Sequence, residues 1–286
     1  MLLFLIRLLL SVLPWPPAAA PAPPIHILNT VTGRAIPYGS AGIRNKPIGT
    51  IADSLGSFTI AQLRGAAPTD TLVVSCVGYH SQKVVMAKVA EMREIKLMPQ
   101  AQLLQEIVVH GRQPKRIVLG HNWVSAFTSY GFYTTLDTVA HARLGREVGT
   151  LLAVKHPTRL EVFHLFTSGR DFKSVTFRLN IYAFAEGQPQ HSLLSKDVIF
   201  TVDGQRRGWT TVDLRPFAIT LAGPQQVVAT VQWLSSEVGR PNSRFLDIPV
   251  HLSAVHTTYS RSKSAQAWTT ASANPSLYFD ALSYPE

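Results

Sequence analysis

The stretch that decides the fold of the first part of the chain reads GTIADSLGSFTI at residues 49–60, and DTLVVSCVGY follows at residues 70–79. In the first stretch, two alternating arms flank the turn Asp53-Ser54-Leu55-Gly56, which is the pattern of a β-hairpin. In the second, a run rich in β-branched residues ends at Gly78, a residue type that adopts a positive φ at little cost. Together they predict short strands joined by tight turns.

The same pattern extends outward over residues 25–99. Turn residues separate four further strand-like segments, which are Ile25–Leu28, Ile36–Ile43, Gln82–Met86 and Glu94–Leu97. Helical periodicity is not sustained over more than two turns in this region. About six or seven strands in so short a region predict a small β-sandwich.

Several spaced motifs of this region resemble the carboxypeptidase regulatory-like domain. They are Ile36-Pro37, the hairpin with Asp53 at its turn, and the strand that ends in Gly78-Tyr79. The family places a threonine before the aspartate, whereas this chain has Ala52, a change that leaves the turn intact. The resemblance implies a transthyretin-like sandwich with a structural or interaction role and no activity of its own. Residues 103–109 are similar to the segment that follows this domain in Gram-negative surface proteins, including receptors that feed a TonB plug.

Alternation of apolar and polar residues returns after residue 147. It is clearest at residues 175–182, where Val175, Phe177, Leu179 and Ile181 share one face. Further strands are predicted at residues 160–166, 198–202, 208–214, 227–234, 249–255 and 277–282. The predicted fold class is therefore all-β, with a small transthyretin-like β-sandwich followed by a larger jelly-roll-like β-sandwich.

The predicted organisation has four parts: a signal peptide at residues 1–22, the first sandwich at 25–99, a connector at 100–143 and the second sandwich at 144–286. Pro114 and the basic residues around it break the strand pattern within the connector. Short motifs of the last part, such as Gly208-Trp209, are similar to a C-terminal β-sandwich domain found in exported Gram-negative proteins with the same first module.

The beginning of the chain predicts export. Residues 1–13 are almost unbroken apolar with Arg7 inside, and small residues and prolines follow up to Ala20. This is the pattern of a signal peptide before its cleavage site, with a retained anchor as the alternative. Because the apolar run is shorter than the ~20 residues of a spanning helix, we expect no transmembrane segment in the mature chain. The expected location is the periplasm, the outer-membrane surface or the medium.

The charge pattern argues against nucleic acid as a partner. The formal net charge is +10, but the basic residues are spread over both halves. The densest basic segment, Arg112–Arg116, is too short to track a phosphate backbone. The excess is instead suited to solubility and to weak attraction by anionic surfaces such as lipopolysaccharide or acidic glycans.

Residue types that carry catalysis occur without the spacing that catalysis needs. The histidines are scattered along the chain. His251 and His256 lie five apart in a strand-like segment, which places them on opposite faces of the strand, so we expect no metal site. Cys76 is the only cysteine, and its position in an apolar run with His80 beyond the turn favours a buried structural thiol. No glycine-rich phosphate loop occurs, so no cofactor is expected.

Paired carboxylates are the remaining route to an enzyme, because a sandwich can place two of them on one face. The candidates in the second half are Glu147, Glu161, Asp171, Asp197, Asp203 and Asp213. Since their separation cannot be obtained from the sequence, a glycan-active hydrolase stays an alternative.

Tryptophan suggests a binding role, because indole rings stack on sugar rings. Trp209 and Trp233 lie in strand-like segments and are expected in the core. Trp268 lies in a tract of short polar residues, and we expect it to be partly open beside the polar loop at residues 235–245 and to contact a ligand. The sequence thus favours a non-enzymatic exported cell-envelope or secreted module that binds a glycan or an envelope protein. The alternative is an assembly accessory of an outer-membrane complex, docked through the first domain or an open strand edge.

Overall fold

The computed structural model describes residues 23–100, 113–125, 127–132, 144–169, 171–239 and 246–285. Strands make up most of these residues, so the predicted all-β class is confirmed. The predicted signal peptide lies outside the described residues. Within the described part of the chain, no helix is both long enough and apolar enough to cross a membrane.

Seven strands form the first sandwich in two sheets. They are β1 (Ile25–Asn29), β2 (Ser40–Ile43), β3 (Gly49–Ile51), β4 (Ser57–Phe58), β5 (Thr71–Ser75), β6 (Gln82–Val85) and β7 (Glu94–Leu97). One sheet has the order β4-β1-β7 and the other β3-β2-β5-β6. Their facing side chains, such as Ile27, Phe58 and Leu72, form one apolar core. Two short helical turns, a 3₁₀ turn at Ile60–Leu63 and α1 at Met86–Val89, complete the unit.

The turn around Asp53 forms as the sequence predicts, but the predicted β-hairpin is wrong. Its two arms do not pair with each other, because β3 pairs with β2 in one sheet and β4 pairs with β1 in the other. One carboxylate oxygen of Asp53 accepts the backbone N–H groups of both Leu55 and Ser57, at 2.9 and 2.8 Å. Gly56 has a φ of +72°, and an added Cβ would lie 2.8 Å from the carbonyl oxygen of Ile36. The aspartate and the glycine therefore fix the turn through side-chain hydrogen bonds and a close backbone approach.

The described residues from 113 onward form fifteen strands. They are β8 (Lys115–Gly120), β9 (Ser129–Gly131), β10 (Glu147–Val154), β11 (Thr158–Gly169), β12 (Phe172–Ala185), β13 (Gln188–Ser192), β14 (Val198–Asp203), β15 (Gly208–Asp213), β16 (Thr220–Leu221), β17 (Gln225–Val238), β18 (Leu246–Leu252), β19 (Thr258–Arg261), β20 (Thr269–Ala271), β21 (Ala273–Pro275) and β22 (Leu277–Ser283). A second 3₁₀ turn lies at Arg215–Phe217.

These strands build two sheets that face each other. One has the order β13-β12-β17-β10-β19-β20, with β14 also paired to β12. The other has the order β21-β18-β11-β22-β8, with β15 and β16 on β11 and β9 on β18. Phe163 of β11 contacts Phe200 of β14 across the core, with ring centroids 5.7 Å apart. The predicted inward residues Val175, Phe177 and Leu179 are fully buried in this core.

The predicted connector contains two strands of the second sandwich. β8 pairs with β22 and β9 pairs with β18, so both belong to its sheets. Residues 101–112 and 133–143 of the connector lie outside the described residues. The sequence pattern did not separate β8 and β9 from the connector, because their partners β22 and β18 lie far along the chain and β9 has only three residues.

The first sandwich packs against the outer face of the β12-containing sheet. Arg178 of β12 donates a hydrogen bond to the carbonyl oxygen of Tyr38 at 3.1 Å. Gly78 has the expected positive φ, +80°, and an added Cβ would lie 2.7 Å from the carbonyl oxygen of Ser195. Ile51 of the first sandwich belongs to the same apolar cluster as the core of the second. We call this sheet the covered sheet and its partner, whose outer face carries exposed side chains, the open sheet.

Candidate functional site

Strand register gathers aromatic side chains on the outer face of the open sheet. Trp209 of β15 lies opposite Phe166 of β11, and His164 of β11 lies opposite Tyr278 of β22. Because residues at alternate positions of a strand share a face, these four side chains point to the same side. We call them, together with Thr211 and Asp280, the aromatic face.

The rings of the aromatic face hold one another in place. Trp209 meets Tyr278 edge-on, with centroids 5.0 Å apart, and meets Phe166 edge-on at 5.3 Å. His164 stacks on Tyr278 with centroids 4.2 Å apart and an interplanar angle of 8°. Trp209 nevertheless stays 36% exposed. An accessible indole, held by its aromatic neighbours, therefore stands on the outer face of the open sheet.

Polar groups lie directly beside these rings. His164 Nε2 is 2.9 Å from Asp280 Oδ2, and His164 Nδ1 is 3.2 Å from Thr211 Oγ1. With Asp280 ionised, Nε2–H donates to the carboxylate and Nδ1 accepts the threonine hydroxyl. Burial, and then the negative charge of Asp280, raises the pKa of Tyr278, which keeps its phenol protonated. The aromatic face thus offers both donors and acceptors.

Gly120 of β8 leaves one side of the aromatic face without a side chain. It lies opposite Tyr278, and its φ is +107°. An added Cβ would lie 2.5 Å from the carbonyl oxygen of Leu277, which is too close for any other residue without a backbone shift. The close approach of β8 to the backbone of β22 at this point therefore requires a glycine.

The three tryptophans singled out from the sequence have different surroundings. Trp233 is 1% exposed, as expected for a core residue, whereas the expectation that Trp209 is in the core is wrong. The signal that could have found Trp209 is its spacing, since Thr211 and Asp213 follow at alternate positions on the solvent side of β15.

Trp268 is partly buried between Arg261, seven residues before it, and Tyr182 of β12. The Arg261 guanidinium lies over its ring at 4.1 Å, and the Tyr182 ring meets it edge-on at 5.6 Å. The environment of Trp268 therefore differs from what its short, polar chain neighbours suggest. The guanidinium of Arg261 covers one face of the indole. Of the polar loop expected beside it, residues up to Val238 belong to β17, and residues 240–245 lie outside the described residues. Ligand contact by Trp268 stays a prediction.

The carboxylates proposed for a hydrolase are engaged by arginines. Five of them have an arginine nitrogen within 3.3 Å, in the pairs Glu147 with Arg261, Glu161 with Arg159, Asp197 with Arg178, Asp203 with Arg206, and Asp213 with Arg215. Asp171 is largely buried. Each of these five carboxylates therefore already has a cationic partner in the structure. The described residues hold no group of three or more histidine, cysteine, aspartate or glutamate side chains placed to bind a metal ion.

Cys76 lies where the two sandwiches meet. Its sulfur is 3.7 Å from Arg178 Nη2 and 3.9 Å from Asp197 Oδ2. Burial raises the pKa of Cys76 to about 11, so the thiol is neutral at physiological pH. A neutral thiol is a poor nucleophile, which agrees with a structural role.

Comparison with known proteins identifies one part of the chain. No curated protein matches the chain. Two solved structures are weakly similar: infectious bursal disease virus, Gt strain, with a TM-score of 0.25, and a mutant VP2 protein of the same virus, with a TM-score of 0.23. Each structure is 9% identical in sequence to this chain, and each match covers 86% of this chain. The matches cover 64% of the first viral chain and 58% of the second. Residues 26–109 match the CarboxypepD_reg-like domain, and the chain therefore contains a member of that domain family in its first sandwich.

Proposed function

We propose that this protein is a non-enzymatic, exported module of the cell envelope or the medium that binds glycan chains through the aromatic face of the open sheet. The observation that carries the proposal is Trp209, an exposed indole fixed edge-on by Tyr278 beside the His164–Asp280 pair. The apolar segment at residues 1–13 supports export.

Sugar rings have apolar C–H faces and hydroxyl edges, so they bind where an aromatic ring lies beside hydrogen-bonding groups. Trp209 supplies the ring, and Thr211 and Asp280 supply groups for the hydroxyls. Because the Trp209 ring is already held by its neighbours, binding costs little side-chain entropy. The aromatic face extends over the three adjacent strands β15, β11 and β22, which suits a segment of a longer chain that lies across the strands.

A protein partner is the second candidate, favoured by the exposed edge of the first sandwich. β6 ends the sheet order β3-β2-β5-β6, and its Val85 is 43% exposed. An unpaired strand edge can accept a strand from another protein. Val85→Lys would weaken such docking and leave glycan binding unchanged, which separates the two candidates.

Binding to an array of bacterial and plant glycans, followed by titration of the best ligand, tests the proposal. Trp209→Ala should weaken binding roughly three- to tenfold, as expected for loss of one aromatic contact. Trp123→Ala is the matched control, because Trp123 is also exposed, at 52%, but lies outside the aromatic face. Equal loss in both variants, or none in Trp209→Ala, would contradict the proposal. Recovery of the ligand as cleaved products would contradict a non-enzymatic role.

A further inference from the structure

A polar cleft with a volume of about 330 Å³ lies between the two sandwiches. Arg178, Asn180 and Gln232 of the covered sheet form its floor. The first sandwich contributes residues 75–81 to one wall, and residues 190–192 of β13 form the opposite wall. We call this space the interdomain cleft. It is separate from the aromatic face, which lies on the other sheet.

The floor of the interdomain cleft is buried and fixed by hydrogen bonds. Arg178, Asn180 and Gln232 are each at most 3% exposed. Arg178 Nη1 donates to Gln232 Oε1 at 3.2 Å, and Asn180 Nδ2 donates to Glu147 Oε1 at 2.8 Å. Since these side chains cannot move without breaking those bonds, the cleft is formed before any ligand arrives.

The charges along the floor cancel in pairs. Arg178 forms two hydrogen bonds of 2.6 Å with Asp197, and Arg261 lies 2.7 Å from Glu147. A charged ligand would meet no unpaired counter-charge at this floor, and its desolvation would not be offset. The cleft is therefore suited to a neutral ligand.

The walls carry polar groups whose hydrogen-bonding capacity is unused. The side chains of Ser75, His80, Ser81 and His191 line the cleft and make no hydrogen bond with another described residue. His80 and Ser81 belong to the first sandwich and His191 to the second, so these groups face the space from both sides. Hydroxyl and imidazole groups both donate and accept, as a ligand rich in hydroxyls requires.

We propose that the interdomain cleft is a second binding site, which takes a small neutral polyhydroxylated ligand the size of a mono- or disaccharide. Its volume lies at the lower end of the roughly 300–1,000 Å³ of ligand pockets, and domain interfaces are a frequent place for them. The ligand contacts both sandwiches, so binding stabilises their association. This site does not depend on the glycan binding proposed for the aromatic face.

Calorimetric titration of the mature chain with a panel of neutral mono- and disaccharides, and with uronic acids and amino sugars as charged comparators, tests this proposal. Ser81→Trp places a large ring at the exposed rim and should reduce affinity for the neutral ligand at least tenfold without lowering the melting temperature. His191→Ala should weaken it less. Trp209→Ala should leave this binding unchanged, so that failure of the cleft and failure of the aromatic face are distinguishable.

Two results would overturn the proposal. One is that no neutral saccharide binds the wild-type chain, or that the charged comparators bind as tightly. The other is that the neutral ligand binds Ser81→Trp as tightly as the wild type, or loses its affinity in Trp209→Ala instead.

Discussion

The two outer faces of the second sandwich reverse the usual distribution of side chains. The covered sheet turns Arg178, Asn180 and Glu147 into a buried interface, whereas the open sheet leaves Trp209 exposed to solvent. Burying charged groups costs free energy, whereas burying apolar surface is favourable, and an exposed indole forgoes that gain. Neither face is therefore explained by stability alone. The comparison indicates that the covered face specifies how the sandwiches meet and the open face is available to a ligand.

The buried network of the covered face centres on Glu147. It is fully buried, and one of its oxygens accepts hydrogen bonds from Asn180, Tyr182 and Thr230. Burial, and then the charge of Glu147, raises the pKa of Tyr182, so its phenol remains a donor. Each member of the network thus has a defined partner.

Removal of the Glu147 carboxylate should have the largest effect on stability. Glu147→Ala leaves the Arg261 guanidinium buried without its counter-charge, and we expect a loss of about 3–5 kcal/mol in the free energy of unfolding. Urea denaturation measures it. Glu237→Ala is the matched control, because it removes an exposed ion pair with Lys173 and should change little. Similar small losses in both variants would show that the covered face is hydrated rather than dry.

A methyl group at Gly78 should disturb the contact between the sandwiches. Gly78→Ala combines a positive φ with a Cβ only 2.7 Å from Ser195 O, so we expect a loss of about 1–3 kcal/mol. Gly187→Ala is the matched control, since Gly187 has a φ of +72° but nothing within 4 Å of an added Cβ. Thermal unfolding compares them. If both variants lose the same stability, the backbone conformation alone accounts for the effect and the contact contributes nothing.

The sequence predicted local features of the first sandwich and of the core well. The Asp53 turn, the positive φ of Gly78 and the burial of Val175 and Phe177 all follow from turn chemistry and alternation. These features depend on residues close in the chain, which is why they could be obtained from sequence.

Features set by distant contacts could not be obtained in this way. By alternation, Arg178 belongs to a solvent face, and only the arrival of the first sandwich buries it. Trp209 joins the aromatic face because β15 pairs with β11 and β11 pairs with β22, near the end of the chain. Trp268 meets the ring of Tyr182 of β12 although its chain neighbours are short and polar. Sheet pairing or the packing of one sandwich on the other decides each of these cases, and no local pattern encodes it.

The smallest effect on stability is expected at Cys76, whose thiol lies at the covered sheet and should react slowly with alkylating reagents. Because burial raises its pKa to about 11, the thiol should react with iodoacetamide at pH 8 far more slowly in the folded than in the urea-unfolded chain. An acid whose pKa is raised by folding contributes stability below its unfolded value. That contribution should decline as the pH rises from about 9 toward 11. Equal alkylation rates in the two states would show that folding does not raise the pKa of Cys76, since this residue already lines the interdomain cleft. Cys76→Ser is the control for the pH dependence and should reduce the decline without abolishing it, since the raised pKa of tyrosines such as Tyr182 contributes to it as well.

Fluorine NMR of the chain labelled with 5-fluorotryptophan tests the central claim most directly. The signals are assigned by substitution of Trp123, Trp209, Trp233 and Trp268 in turn, and the best-binding glycan is then titrated. We expect the Trp209 signal to shift in a saturable manner while the signal of buried Trp233 stays in place. A shift of the Trp268 or Trp123 signal with no change at Trp209 would contradict the account, because the ligand would then bind away from the aromatic face.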